Sequence, residues 1–269
     1  MSQYSAVRPI SPVAGYVGGK RQLSKRIAAK VAGIDHTLYA EPFVGMGGLF
    51  FRRDQRPGVE AINDLNRDVA TFFRILQRHY EPFLDMLKWR LASRADFERL
   101  MATDPDTLTD LERAARFLQL QRLAFGGKVA GRNFGVAPSG PARFDVSKLA
   151  PLLEAAHERL CGVWIECLPY ADFIARYDRP GALFVCDPPY WGSEHYYGRE
   201  LFSPADFERL MLALKAIEGR FIMTVNDVPE LRAIFAWATI ETAEVTYTVS
   251  SGPPRKAREI IITGGGRTP

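Results

Sequence analysis

Asp187, Pro188, Pro189 and Tyr190 form the one stretch whose residue types point directly to a chemistry. Two consecutive prolines stiffen the backbone and hold their carbonyls in nearly fixed positions. An acid beside such a carbonyl supplies two rigid acceptors, and the tyrosine supplies a flat face. This combination suits a planar amine such as the exocyclic NH2 of a nucleobase, held by two accepted hydrogen bonds and stacked on a ring. The same four residues also spell a common turn, so the elements around them must decide.

The apolar run Ala182 to Cys186 reads as a buried parallel strand, which opens the tetrapeptide at a strand's C-terminal end, where open α/β sheets place their chemistry. Upstream, Gly15 to Lys20 precedes a helical pattern from Gln22 to Val31, and the paired glycines permit close backbone approach to a ligand. Lys20 at that helix start either meets a carboxylate or phosphate or is a solvated lysine. His36 to Ala40 reads as a strand ending in the glycine-rich stretch Glu41 to Gly48, with a helix expected through Phe50 and Phe51. The stretch is neither G-x-G-x-x-G nor G-x-x-x-x-G-K-[ST], so a diphosphate ligand is not indicated. Asp64 ends the next strand, Val59 to Ile62. It stands where an acid accepts both hydroxyls of a ribose, or else caps a helix over Leu65 to Leu76; Gly45 and Gly47 favour the ribose. Asp172 follows the strand Trp164 to Cys167 and reaches a cofactor's adenine amine or caps the helix Phe173 to Tyr177. A helix over Pro204 to Ala216, a strand over Arg220 to Val225 and two final strands near Glu244 to Ser250 and Arg258 to Thr263 complete the pattern.

The 269 residues are 47% hydrophobic, enough for a full core, with a net charge of only +4. The charge is unevenly distributed. Six basic residues and no acid lie between Arg8 and Lys30, and seven basic residues face only Asp145 between Arg113 and Lys148. Local surpluses of this kind hold phosphates. Residues 73–147 read as a mainly helical subdomain inserted between core segments 1–72 and 148–269. Trp89, Phe97 and Leu100 are expected in its core, and a basic, glycine-rich hairpin follows with Asn133, Phe134 and Arg143 near its tip. Arg255 and Lys256, in a loop between the last two strands, are further candidates for a phosphate backbone. The aromatic loop with Trp191, Tyr196, Tyr197 and Phe202 is a candidate wall or lid, and His195 has no carboxylate partner in sight. Cys161, Cys167 and Cys186 show no metal or disulfide spacing and read as buried free thiols, and no segment resembles a signal peptide or membrane span. A cytoplasmic protein without a metal is expected.

In order, YVGGK (16–20), EPFVGMGGLF (41–50), INDLN (62–66), YADF (170–173) and DPPY (187–190) resemble the motifs of the Dam-type family of DNA adenine-N6 methyltransferases, in its alpha-group arrangement. The resemblance runs from about Ala14 to Ile262. It implies a Rossmann-like α/β methyltransferase sheet with a helical target-recognition subdomain, S-adenosylmethionine as cofactor and double-stranded DNA as partner. By position it implies that Phe43, Gly45 and Gly47 line the cofactor pocket and Asp64 takes the ribose. Asp172 falls at the cofactor's adenine end, and Tyr16 and Lys20 near its methionine end. Asp187, which also borders the cofactor, would hold the flipped adenine with Pro188, Pro189 and Tyr190. Arg116, Arg122, Phe125, Lys128, Arg132, Asn133 and Arg143 would lie on or near the recognition hairpin. Gly15 replaces a frequent lysine and Phe125-Gly126-Gly127 a frequent aromatic-Asn-Gly, so a GATC-type target does not follow. Cytosine-N4 methylation, RNA adenine methylation and a non-catalytic DNA-binding protein are the rival readings. A monomer fits one flipped base per site, and a cognate restriction endonuclease is a partner the class allows.

Overall fold

The structure is a computed structural model that describes residues 4–16, 23–129, 131–135, 142–192, 202–247 and 255–266. Lys20, the loop residues His195, Tyr196 and Tyr197, and the stretches 136–141 and 248–254 lie outside the described residues; only the backbone of Arg255 and Lys256 is described, and it opens the last strand instead of lying in the expected loop.

The chain begins with β1 (Tyr4–Ala6) and α1 (Ser24–Ala32), then runs through β2 (Leu38–Glu41), β3 (Gln55–Pro57) and β4 (Val59–Asn63). Five helices follow: α2 (Arg67–Arg78), α3 (Tyr80–Lys88), α4 (Arg94–Ala102), α5 (Asp110–Leu123) and α6 (Val146–Leu160). The core resumes with β5 (Trp164–Glu166), α7 (Tyr170–Tyr177), β6 (Ala182–Cys186), α8 (Pro204–Ala216), β7 (Arg220–Asn226), α9 (Pro229–Ile234), β8 (Thr239–Tyr247) and β9 (Arg255–Gly265). Local chemistry sets several helix starts. The Asn66 side chain accepts from Asp68 N–H at the start of α2, and reciprocal capping boxes start α5 (Thr109 with Glu112) and α8 (Ser203 with Asp206).

Among the described residues the main sheet has seven strands in the order β5-β4-β2-β6-β7-β9-β8. The first five are parallel, and β9 runs antiparallel to β7 and β8. This is the Rossmann-like architecture expected. Successive connections run outward from β2 in one direction and from β6 in the other, so the order reverses between these two strands. Such a switch point leaves a crevice beyond the strands' carboxyl ends. Alternate residues face opposite layers: Tyr39, Leu183 and Val185 enter one apolar cluster, and Leu38, Phe184 and Cys186 the other.

The inserted helices are continuous with the first layer. Phe72, Phe73, Phe83, Phe97, Phe117 and Leu153 share its core, so the expected boundary at Phe73 falls inside α2. Three expectations change. The helix through Phe50 and Phe51 is a single 3-10 turn, Phe50–Arg52, before the chain turns into β3. Phe97 and Leu100 are buried as expected, but Trp89 is 87% exposed. Leu87 fills the inner face of α3, and a residue two positions on points the other way because each helical step turns about 100°. Cys186 is buried, whereas Cys161 and Cys167 are exposed, at the end of α6 and just beyond β5.

A buried charge cluster braces the sheet behind the crevice. Glu60 is wholly buried and pairs with Arg53 and with both terminal nitrogens of Arg159, each at 2.7 Å. These guanidiniums hold the Glu60 carboxyl below its ordinary pKa against the opposing effect of burial.

Candidate active site

A cavity of about 580 Å³ opens at the switch point. Its wall draws on the segment before α1 (Ala14, Tyr16), the turn after β2 (Phe43, Gly45), the end of β4 (Asp64) and the turn after β6 (Asp187, Pro189). Elements distant in sequence therefore meet because β2 lies between β4 and β6.

The turn after β2 is held from two sides. Asp64 accepts from the Gly45 N–H with one carboxylate oxygen and from the Asn66 N–H with the other, both at 2.9 Å. Asn66, and not Asp64, caps α2, which leaves Asp64 to brace the turn. Gly45 has φ +50°, and a Cβ there would come within 3.0 Å of the Tyr16 ring, so glycine alone lets that ring lie on the turn. Burial lifts the Asp64 carboxyl to a pKa of about 6 despite the two amides that oppose the shift. Asn63, also buried, donates to the carbonyls of Pro42 and Leu168, and its own oxygen accepts from Leu168 N–H. It thereby fixes the ends of β4 and β5 against the same turn.

Glu41 lines the cavity at 3% exposure, and sequence reasoning did not single it out. Burial is the main cause that raises its pKa to about 8, with a smaller contribution from Asp187, while the Tyr39 hydroxyl that donates to it opposes the rise. It therefore carries a proton at neutral pH. At another part of the cavity Phe43 packs against Tyr170 and Phe202, with ring centroids 5.5 and 5.8 Å away.

The tetrapeptide is clamped by the strands beyond it. Thr224 on β7 donates to Asp187 Oδ1 at 2.9 Å, and the Tyr190 hydroxyl donates to Glu259 of β9 at 2.6 Å. Asn226 brackets Trp191, accepting from its N–H at 2.9 Å and donating to its carbonyl at 3.1 Å. Asn226 and Glu259 are register partners across β7 and β9.

Not every expected site residue borders the cavity. Tyr16, Phe43, Gly45, Asp64, Asp187 and Pro189 do. Pro188 and Tyr190 belong to the turn but not to the lining. Gly47 packs against Phe51 instead. Asp172 is exposed in the first turn of α7 and does not cap it by a side-chain bond. Tyr170 faces the cavity, and a residue two positions along a helix points nearly opposite.

The hairpin candidates divide in the same way. Phe125 N–H pairs with the Asn133 carbonyl and Gly135 N–H with the Leu123 carbonyl, so Asn133 and Phe134 stand at the base of the hairpin and not near its tip as expected. Phe125, Asn133 and Arg143 are exposed and Lys128 is half-buried. Arg116 is buried, donates to the Leu100 carbonyl at 2.7 Å and lies 3.7 Å from Asp68, so it braces α4 and α2 and does not reach outward. Arg132 turns inward to the Lys128 carbonyl and to Gln121 Oε1. Arg122 borders the cavity and donates to the carbonyls of Arg143 and Val13, tying the hairpin base to the segment before α1.

A parallel sheet that reverses at β2/β6 carries a glycine turn braced by a strand-end acid and, beside it, an acid–proline–proline–tyrosine turn, the arrangement expected of a Rossmann-like methyltransferase. Residues 16–249 match the family described as D12 class N6 adenine-specific DNA methyltransferase, and the chain belongs to that family. A type II methyltransferase of Lactococcus lactis subsp. cremoris is 28% identical over 279 residues, 96% of each chain. The DNA N-6-adenine-methyltransferase of Escherichia phage P1 is 27% identical over 216 residues, which cover 72% of this chain and 27% of that longer protein. Among solved structures, precorrin 8w decarboxylase from Methanobacterium thermoautotrophicum aligns over 96% of this chain and all of its own, with a TM-score of 0.41 and 10% identity.

Proposed function

We propose that the cavity binds S-adenosylmethionine and that the Asp187–Tyr190 turn receives an adenine extruded from duplex DNA, which is methylated at N6 within a particular sequence. One observation carries this reading: Asp187 and the glycine turn braced by Asp64 border one cavity, on neighbouring strands. The residues present suit a nucleoside with a cationic tail. Asp64 keeps lone pairs for ribose hydroxyls beyond the two amides it already accepts. Phe43, Tyr170 and Phe202 offer an aromatic surface for the cofactor's base, and Glu41 offers a buried carboxyl whose ionised form a bound cation would favour.

The cofactor supplies an electrophilic methyl group, and the remaining work belongs to the chain. An adenine amine is a weak nucleophile because its lone pair is delocalised into the ring. Asp187 and the Pro188 carbonyl accept its two N–H bonds and favour the pyramidal form in which the lone pair is available. Tyr190 supports the extruded ring, and orientation within the cavity provides much of the acceleration. Asp187 need not be a strong base, because the amine becomes acidic once it carries the methyl group. Phe125, Lys128, Asn133 and Arg143 form the surface of the recognition hairpin toward DNA. A cytoplasmic setting and a cognate restriction endonuclease accompany this reading, since one relative is named a type II methyltransferase.

Long-read sequencing that detects modified bases, applied to DNA from cells expressing the protein, tests the proposal. It should find N6-methyladenine within one recurring sequence. N4-methylcytosine in its place, or no modification, would overturn it.

A further inference from the structure

Thr224 stands at a position where a hydroxyl is chemically out of place. It is wholly buried in β7, whose neighbouring residues Phe221, Ile222, Met223 and Val225 are apolar and equally buried. Valine has nearly the same shape and would enter this strand without desolvating an oxygen. The hydroxyl has a specific partner: it donates to Asp187 Oδ1 at 2.9 Å. The register accounts for the meeting. Cys186 of β6 is opposite Met223 of β7, so Asp187, the first residue beyond β6, lies beside Thr224, which is still within β7. Thr224 and Asn226 share a face of β7, and Asn226 holds Trp191 by two hydrogen bonds, just beyond the tetrapeptide. The turn is thus fixed at its first residue by Thr224 and just past its last by Asn226.

We propose that Thr224 is a positioning residue for methyl transfer, fixing the rotation of the Asp187 carboxylate so that it accepts the substrate amine in line with the Pro188 carbonyl. This rests on the reading of Asp187 as an amine acceptor. A carboxylate at a strand end rotates about its last bond, and a fixed donor on one oxygen removes that freedom before substrate arrives. The hydroxyl commits its single hydrogen to Oδ1, which favours the ionised, accepting form of the Asp187 carboxyl.

The test compares Thr224→Val and Thr224→Ser in single-turnover methyl transfer to duplex DNA, alongside S-adenosylhomocysteine affinity and melting temperature. Thr224→Val is expected to slow methyl transfer about tenfold, the size of one lost orienting hydrogen bond, with cofactor affinity within about twofold of the parent. Thr224→Ser keeps the hydroxyl and should restore the rate even if its lost methyl lowers the melting temperature. A valine variant as fast as the parent, or a serine variant as slow as valine, would overturn the proposal. If Thr224→Val is fast while Asp187→Ala is inactive, only the positioning role fails; if Asp187→Ala itself is fully active, the amine-acceptor reading fails with it.

Discussion

The side-chain amide of Gln121 donates to the carbonyl of Gly15 at 2.8 Å. The same nitrogen donates to the Gly127 carbonyl at 2.7 Å, and the Gln121 oxygen accepts from Arg132. Gly127 lies so close to Gly15 that a Cβ would fall 2.9 Å from the Gly15 carbonyl carbon. One buried residue of α5 therefore joins the segment that carries Tyr16 into the cavity to the hairpin proposed to meet DNA.

Replacing Gln121 by Leu leaves these partners without it, at a cost of about 1–3 kcal/mol for a buried unsatisfied group. Because both segments depend on Gln121, DNA and cofactor are expected to strengthen each other's binding in the parent protein, and this coupling should shrink in the variant. Titration of S-adenosylhomocysteine with and without a target duplex measures it. Undiminished coupling in Gln121→Leu would show that the contact is structural only.

Glu41 and Asp64 make the stability of the unliganded protein pH-dependent in a defined direction. Their folded pKa values, about 8 and about 6, lie above the ordinary 4.5 and 3.8, so the folded state holds more protons between those limits. Their stabilisation is complete below the ordinary values and falls as pH rises, by up to about 1.4 kcal/mol per pH unit for each group in its own window. Above pH 6 the decline belongs to Glu41. Glu41→Gln should flatten the urea-denaturation midpoint between pH 6 and 8, whereas parallel curves for variant and parent would contradict the assignment.

Arg116 and Phe125 should separate stability from DNA recognition. Arg116→Met removes a buried donor to the Leu100 carbonyl and should lower stability by about 1–3 kcal/mol. Phe125 is exposed, so Phe125→Ala should leave the melting temperature unchanged while weakening DNA binding. Thermal melts and duplex binding check both, and the opposite pattern would return Arg116 to the DNA surface.

Glu60→Gln should destabilise the protein by about 3–5 kcal/mol, because Arg53 and Arg159 would remain buried without their counter-charge. The parent contribution is present above pH 4.5 and is lost as pH falls through the depressed folded pKa of Glu60. Denaturant melts of both proteins at neutral pH measure the difference.

The parts of the site that were legible in the sequence depend on local order along the chain. Asp64, Gly45 and the Asp187–Tyr190 turn each sit at a strand end, and strand ends can be read from apolar runs and glycines. Thr224, Gln121 and Glu259 act through pairings made only in the folded chain, and nothing near them in sequence marks those partners. Arg116 misled for a related reason. Arg113, Arg116, Gln119 and Gln121 of α5 are all buried, so polar residues that ordinarily signal a solvated face here link the packed helices and the cofactor segment. Glu41 was passed over as part of a glycine-rich turn, although its burial in the folded chain lifts its carboxyl further from the ordinary value than that of Asp64.

The most direct test of the central claim is methyl transfer from isotopically labelled S-adenosylmethionine to duplex DNA, followed by digestion and identification of the labelled nucleoside, for the parent and Asp187→Ala. The parent should yield N6-methyladenine, and the variant should bind cofactor yet yield none. Undiminished N6-methyladenine from Asp187→Ala, or label found on cytosine, would contradict the assignment of the Asp187–Tyr190 turn as the adenine clamp.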